Sequence, residues 1–373
     1  MAKTTKSTRL KAPAAPPGPF DALLPLLACP VSGEALAYEP DASDAPGSID
    51  GVMRSPGGRV YPVIGGVPRL LPPDLLLPFL KHVYPEVLSR RPEIGAWLQS
   101  VPDPEPAVLE TLTGYSFQHV DLADDELLVD DWRFTWDRFQ PGLPPEAMAG
   151  EVVLDVGCGE GRHAWLVAQH ARTLVGLDLS RGVELSRRRD ARETSFYVQG
   201  DLRRPPFRPE VFDTFYSNGV LHHTPVPAES FAAVARLVRR GGRVSFWVYG
   251  LEGMRLTYRL SHLTWVRPLT NRLPKPAQMA LATAMTAGLE AGLWMPIRVL
   301  KRAGLDPLAE RLPYADAADR DWQYKVRRMF DRLNPPITHY PTQADLGRWL
   351  DGYGDVRIVN TEGQGWSARG TKA

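Results

Sequence analysis

The residues whose types and spacing invite chemistry lie between Asp155 and His223. Asp155 stands just before a glycine-rich run, Gly157-Cys158-Gly159-Glu160-Gly161. Ahead of it, Val152-Val153-Leu154 is an apolar run of the length of a buried parallel strand, and His163 to Ala168 opens a helix. Strand, glycine turn and helix bring a ligand against bare backbone N–H groups at a helix N-terminus. A dinucleotide fingerprint spaces its glycines G-x-G-x-x-G. Here the third glycine comes one place early, at Gly161, and Arg162 holds the fingerprint position. The Asp155 carboxylate would repel a pyrophosphate and attract a cationic amino-acid head group. A nicotinamide dinucleotide therefore fits poorly. Asp178 follows the run Leu174-Val175-Gly176-Leu177, at the distance where an acidic side chain accepts hydrogen bonds from ribose hydroxyls. Asp201 follows a third run, Phe196-Tyr197-Val198-Gln199. Alone, such an aspartate is a helix cap; after three successive strands the acidic residues form a series. His222 and His223 come next. An imidazole titrates near neutrality and can deprotonate an acceptor hydroxyl or amine, although packing at a helix start is the competing role.

The run from Asp155 to Gly161, D-x-G-x-G-x-G, resembles the cofactor loop of class I S-adenosylmethionine (SAM)-dependent methyltransferases. "FDTFYSNGVLHHTPVP" resembles the segment after their fourth strand, "LVRRGGRVSFWVYG" their helix, glycine turn and fifth strand, and "THYPTQADLGRWLDGYG" their last helix. The resemblance covers about two thirds of the chain. It implies an α/β fold: a Rossmann-like seven-stranded sheet with helices on both faces. It also implies SAM as cofactor, its methionine end at Asp155, Gly157, Gly159 and Gly161, its ribose at Asp178, and its adenine at Asp201 and the N–H of Leu202. Asn218, with Gly219 and Val220, then lies at the carboxyl edge of the sheet, and the methyl group points towards Asn218 to His223. "WRFTWDRFQP" resembles an aromatic lead-in that covers the cofactor, and plain core packing is its rival reading. Trp136, His339 and Tyr340 are candidates for the acceptor side. Catalysis in such a site is chiefly proximity and orientation.

Stepping outward, residues 1–19 read as a basic, proline-rich disordered tail. Residues 20–75 form a small unit, with a strand over Glu34 to Tyr38 and a hairpin from Gly51-Val52-Met53-Arg54 to Arg59-Val60-Tyr61-Pro62-Val63. "LLACPVSG … GRVYPVIGGVPRLLP" resembles Trm112-like zinc-ribbon domains. Their four metal positions fall on Cys29, Ser32, Arg54 and Gly57, and one cysteine cannot build a four-coordinate site, so no metal is expected. The unit is either a docking module or a brace. Residues 76–140 read as a helical lead-in and lid, 141–250 as the SAM-binding core, 251–336 as a helical insert covering the acceptor, and 337–373 as the last helix and edge strands. Phe231 to Val238 reads as a helix stopped by Gly241 and Gly242. Residues 276–302 are alanine-rich, too weakly apolar for a span, and are the segment that would meet a membrane surface through Arg298, Lys301 and Arg302. Arg327 and Arg328 read as a solvated face.

The 373 residues suffice for two or three domains, and Cys29 and Cys158 suggest no disulfide framework, which points to the reducing cytoplasm. Met1 to Phe20 lacks the apolar core of a secretory signal. A net charge of +1 creates no global field for nucleic acid. The expected function is SAM-dependent methyl transfer to a small, fairly apolar metabolite, since a helical lid suits a closed cavity. RNA is the alternative acceptor, and a SAM-binding non-catalytic scaffold is the alternative of another class. Acceptor atom and oligomeric state stay open.

Overall fold

The computed structural model describes residues 9–11, 20–41, 50–99, 101–122, 126–252, 267–312, 314–361 and 364–373. In chain order the strands are β1 (Arg9–Lys11), β2 (Ala37–Pro40), β3 (Gly51–Arg54), β4 (Val60–Ile64), β5 (Val67–Pro68), β6 (Glu126–Leu128), β7 (Val152–Val156), β8 (Thr173–Asp178), β9 (Ser195–Gln199), β10 (Phe212–Asn218), β11 (Val238–Tyr249), β12 (Gly354–Asn360) and β13 (Gly365–Thr371). A seven-stranded sheet runs β12-β13-β11-β10-β7-β8-β9. β11, β10, β7, β8 and β9 are parallel, and β13 is antiparallel to both of its neighbours. This is the Rossmann-like methyltransferase architecture. Strands β8 and β9 are buried nearly throughout, as expected of parallel strands covered on both faces.

The sheet reverses its winding at β7, where β8 lies on one side and β10 on the other. Ligands of open α/β sheets bind at the carboxyl ends of the strands beside such a point. The acidic series and the glycine loop lie there.

Several expectations need correction. Arg9–Lys11 pairs with Glu126–Leu128, so this part of the expected tail is a strand; residues 1–8 and 12–19 lie outside the described residues. The helix expected to run to Val238 is Pro227–Ala235, and β11 begins at Val238. Leu237 and Val238 are fully buried, so the chain has entered the sheet before its arginines and glycines. Arg239 to Gly242 are instead accommodated in a register shift of β11 against β10, with Arg239 Nε donating to Asp213 at 2.5 Å. The strand expected at Glu34 to Tyr38 is Ala37–Pro40.

Strands β2 to β5 form a separate four-stranded antiparallel sheet. The Ser32 hydroxyl donates to Glu34 at 2.7 Å, and the Gly57 N–H donates to the same carboxylate at 3.3 Å. Cys29 is buried against the Tyr61 hydroxyl, Sγ to Oη 3.3 Å. The small sheet docks on the outer edge of β9. Arg69, 1% exposed, donates to the Gln199 side chain at 3.0 Å and pairs with Glu184 at 3.1 Å. One apolar core runs from Val52 and Leu71 to Val198 and Phe212 across this junction.

The segment after β11 is helical where described, including Lys275–Leu289, a π-turn over Glu290–Trp294, and Met295–Arg302. Glu290 binds Lys325 at 2.9 Å and also Arg298, which explains an acid inside an otherwise apolar stretch. Among the described residues no helix is long and apolar enough to cross a membrane. The helix Gln343–Trp349 starts with a capping box: Thr342 and Asp345 exchange side-chain-to-backbone hydrogen bonds.

Candidate active site

A cavity of about 360 Å³ opens above the carboxyl ends of β7, β8 and β10. Its floor is the glycine loop. Gly157, Gly159 and Gly161 adopt φ values of +78°, +53° and +81°, a region that side chains other than glycine avoid. A Cβ on Gly157 would stand 2.2 Å from the Val220 side chain, and one on Gly159 would stand 3.1 Å from the His119 ring. Gly157 and Gly159 line the cavity. Gly161 does not; it faces Ser186, where a Cβ would meet Oγ at 2.9 Å, so its service is close packing at the start of the Arg162–Val167 helix.

The three aspartates reach this one cavity from three strand ends, and each is held differently. Asp155 is 3% exposed and accepts from the Tyr216 hydroxyl at 2.8 Å. Burial pushes its carboxyl up to about 8, against the pull of the Tyr216 hydrogen bond, with the nearby Asp178 charge adding to the rise. Asp178 accepts from the Gly159 N–H at 2.8 Å and from the Ser180 N–H at 2.7 Å, so it also fixes the glycine loop. Asp201 accepts from the Arg203 N–H at 2.9 Å and pairs with the Arg203 guanidinium at 2.8 Å. Leu202 follows it along the cavity wall.

The adjacent histidines part company. His223 lines the cavity, and its Nδ1–H donates to the Ile337 carbonyl at 2.8 Å, which makes Nε2 the basic nitrogen. His222 is fully buried behind it, with Nδ1 accepting from the Tyr249 N–H at 3.3 Å and its ring packed on Tyr249. His222 thus stands behind the wall, and it is not among the residues that line the cavity. Three further candidates stand outside the cavity. Trp136 is fully buried: its Nε1–H donates to Leu143 O at 2.8 Å and its ring stands edge-on to Tyr216. His339 is exposed and donates its backbone N–H to His222 O. Tyr340 stacks on Tyr249. None of the three is among the residues that line the cavity; the Trp136 ring packs on Tyr216, and the Tyr340 ring on Tyr249 of its wall.

Asn218 lines the cavity within a polar chain. Gln140 Nε2 donates to Asn218 Oδ1 at 2.6 Å, and Asn218 Nδ2 donates to His163 Nδ1 at 3.0 Å. His163 Nε2–H donates to the Thr135 hydroxyl oxygen at 3.1 Å. Burial, with Arg162 nearby, lowers the His163 ring to about 3, so it stays neutral. The chain ties the Val129–Phe139 helix, which supplies Phe134, Thr135, Arg138 and Phe139 to the cavity, to the end of β10.

Other wall residues were not among the expected site residues, although Gly114 to His119 reads from sequence as a second lid piece, and Tyr115, Gln118 and His119 line the cavity. His119, in a π-turn, lies on the glycine loop, and burial lowers its pKa against the attraction of Glu160 and Asp178. The Trp322–Leu333 helix presents Tyr324, Arg327, Arg328, Asp331 and Arg332 to the cavity, so Arg327 and Arg328 are not a solvated face. Their only sequence signal is spacing on one helix face, which says nothing about what that face meets.

Residues 154–246 match the family model described as a methyltransferase domain. A tRNA U34 carboxymethyltransferase of Actinobacillus succinogenes is 33% identical over 132 residues, covering 33% of this chain and 40% of that protein. Another of the same name, from Shewanella pealeana, is 30% identical over 171 residues, covering 42% of this chain and 49% of that protein. The chain thus spans less than half the length of these relatives. Among solved structures, an S-adenosylmethionine-dependent methyltransferase from Mesorhizobium loti is 27% identical, with 31% of this chain and 52% of that chain covered and a TM-score of 0.28.

Proposed function

We propose, from the methyltransferase-domain match over residues 154–246, that the chain is a class I SAM-dependent methyltransferase, transferring a methyl group from SAM to an acceptor held between the glycine loop and the Trp322–Leu333 helix. The observation that carries this reading is the convergence of Asp155, Asp178 and Asp201 with Gly157 and Gly159 on one cavity. The donor chemistry fits SAM. A carboxyl beside the loop suits an ammonium group. Asp178 keeps capacity to accept from ribose hydroxyls, because a carboxylate has about four lone-pair sites. Asp201 and the Leu202 N–H suit the adenine edge. When bound, SAM supplies a methyl group activated by a positively charged sulfur. The chain's own residues orient the partners: the polar chain from Thr135 to Gln140 fixes Asn218. His223 receives a proton at Nε2 when the acceptor has one to lose.

For the acceptor, the names of the two relatives support RNA over the small apolar metabolite that the helical lid suggests. The cavity wall, with arginines beside aromatic rings, supports the same choice. The resemblance of the small sheet to Trm112-like domains remains part of this reading, with bracing of β9 as its role.

Titration calorimetry with SAM, S-adenosylhomocysteine and NAD is the test. SAM and S-adenosylhomocysteine should bind and NAD should not; silence from both sulfur ligands would sink the reading. With labelled SAM and bulk tRNA, His223→Ala should lower turnover about 100-fold while S-adenosylhomocysteine affinity holds. His222→Ala should act through stability alone.

A further inference from the structure

We infer that His119 is a cofactor-binding residue whose imidazole N–H holds the carboxylate at the methionine end of SAM; this rests on the methyltransferase reading of the same cavity. Asp155 suits the ammonium group and Asp178 the ribose, which leaves the carboxylate, the one anionic group of SAM, in need of a donor. His119 lies in the π-turn Phe117–Asp121, which follows the Pro106–Ser116 helix. Such turns gather at functional sites. The residues around it are fastened. Ser116 Oγ accepts from the Arg181 N–H at 3.0 Å, Phe117 packs on Phe330 with centroids 5.7 Å apart, and Gln118 Nε2 donates to Asp331 at 3.2 Å. The His119 ring lies over Gly159, where a Cβ would meet Cε1 and Nε2 at 3.1 Å and Nδ1 at 3.6 Å. Tyr115 stacks on the ring, with centroids 5.8 Å apart.

The other groups that could meet a carboxylate here are engaged. The Gly157 and Cys158 N–H groups donate to Leu177 O at 2.7 and 3.2 Å, the Gly161 N–H to Cys158 O at 2.9 Å, and the Gly159 N–H to Asp178 at 2.8 Å. Arg189 and Arg162 pair with Glu160 at 3.1 and 3.5 Å, and Arg327 acts on the same carboxylate. Arg328 donates to the Tyr324 hydroxyl, and Arg332 to that of Tyr314. The acids are held too: Asp331 by Gln118, Asp155 by the Tyr216 hydroxyl, and Asp321 by the Tyr324 N–H at 2.7 Å. The His119 ring nitrogens, by contrast, make no hydrogen bond among the described residues, and the residue lines the cavity. Burial keeps this ring neutral against the attraction of Glu160, Asp178 and Asp331. A neutral imidazole still carries one N–H, and a donor facing a charged acceptor makes the stronger kind of hydrogen bond.

Titration calorimetry on the full chain with SAM, S-adenosylhomocysteine and decarboxylated SAM, which lacks the carboxylate alone, is the test. The parent should bind decarboxylated SAM about tenfold more weakly than SAM. His119→Phe keeps a ring on Tyr115 and removes the N–H. It should weaken SAM about tenfold and leave decarboxylated SAM within about twofold. His119→Gln restores a donor and should return SAM affinity to within about threefold of the parent. In the parent, the ¹⁵N signals of the His119 ring, assigned by their loss in His119→Gln, should move with SAM and stay with decarboxylated SAM; this reading holds even if His119→Phe does not fold. SAM affinity unchanged in His119→Phe, equal weakening of SAM and decarboxylated SAM, or ring signals that move equally with both, would each overturn the inference and leave the methyltransferase reading standing. Absence of binding by SAM and S-adenosylhomocysteine in the parent would overturn both.

Discussion

Asp155 is held as a carboxylic acid over much of the neutral range, because burial raises it to about 8 from an ordinary 3.8. Between those two values the folded chain holds one proton more than the unfolded chain. This group's contribution to stability is therefore complete below 3.8 and declines as pH rises towards 8. A cationic ligand reverses the preference, since it favours the carboxylate. Binding of SAM at pH 7 should release a proton, and affinity should climb between pH 6 and 8. Calorimetry in buffers of different ionisation enthalpy reads the proton directly. Asp155→Asn should abolish the release, and an unchanged release would assign it elsewhere. The three aspartates were legible in the sequence because each ends an apolar run, and parallel strands bring such ends together. His222 and His223 were not separable, since neighbours in a tight turn face opposite ways and only packing decides which meets the cavity. Arg327 was illegible for another reason: it lies far along the chain from the loop it faces.

Among elements, the Val129–Phe139 helix shows how a lead-in becomes a wall. Its aromatic spacing was legible, but which ring faces which way was not: Phe134 and Phe139 line the cavity while Trp136 is fully buried. Gln140, 2% exposed, accepts from the Ser245 hydroxyl and donates to Asn218, fastening the end of this helix to β10 and β11. Gln140→Leu removes the partner of the buried Ser245 hydroxyl and of the half-buried Asn218 carbonyl. A loss of about 1–3 kcal/mol in urea unfolding is expected, with a rise in the KM for SAM larger than any fall in kcat. A variant as stable as the parent would show that water takes over both bonds. The end of the Pro227–Ala235 helix was misjudged because basic residues and glycines mark helix ends only where the chain then leaves the core. Here burial of Leu237 and Val238 settles the matter first.

At the scale of the molecule, the small sheet and the large one behave as one body. Arg69 is the fastening: fully enclosed, paired with Glu184, bonded to Gln199, and 5.5 Å from the Tyr84 ring. Arg69→Met strips Glu184 of that partner while Arg181 and the Tyr84 hydroxyl remain on it, so the loss should fall below the roughly 3–5 kcal/mol of a buried charge left unpaired. Unfolding followed by the fluorescence of Trp97, which packs on Tyr61 of the small unit, should shift with the global transition. An early separate transition in the parent protein would mean that the two sheets are independent. The order of the central strands was legible from their apolar runs and acidic ends; this junction was not, because no local pattern announces which strand a second sheet will cover. Covering β9 also has a colloidal consequence. With that border closed, β12 is left as the open flank of the large sheet, and it carries Val356 and Val359 at 42% and 46% exposure. Such a flank invites another chain to add a strand and seed aggregation. The register shift between Gly354 and Arg357, and the charges of Asp355 and Arg357 on the same strand, break the ladder that an incoming strand would need.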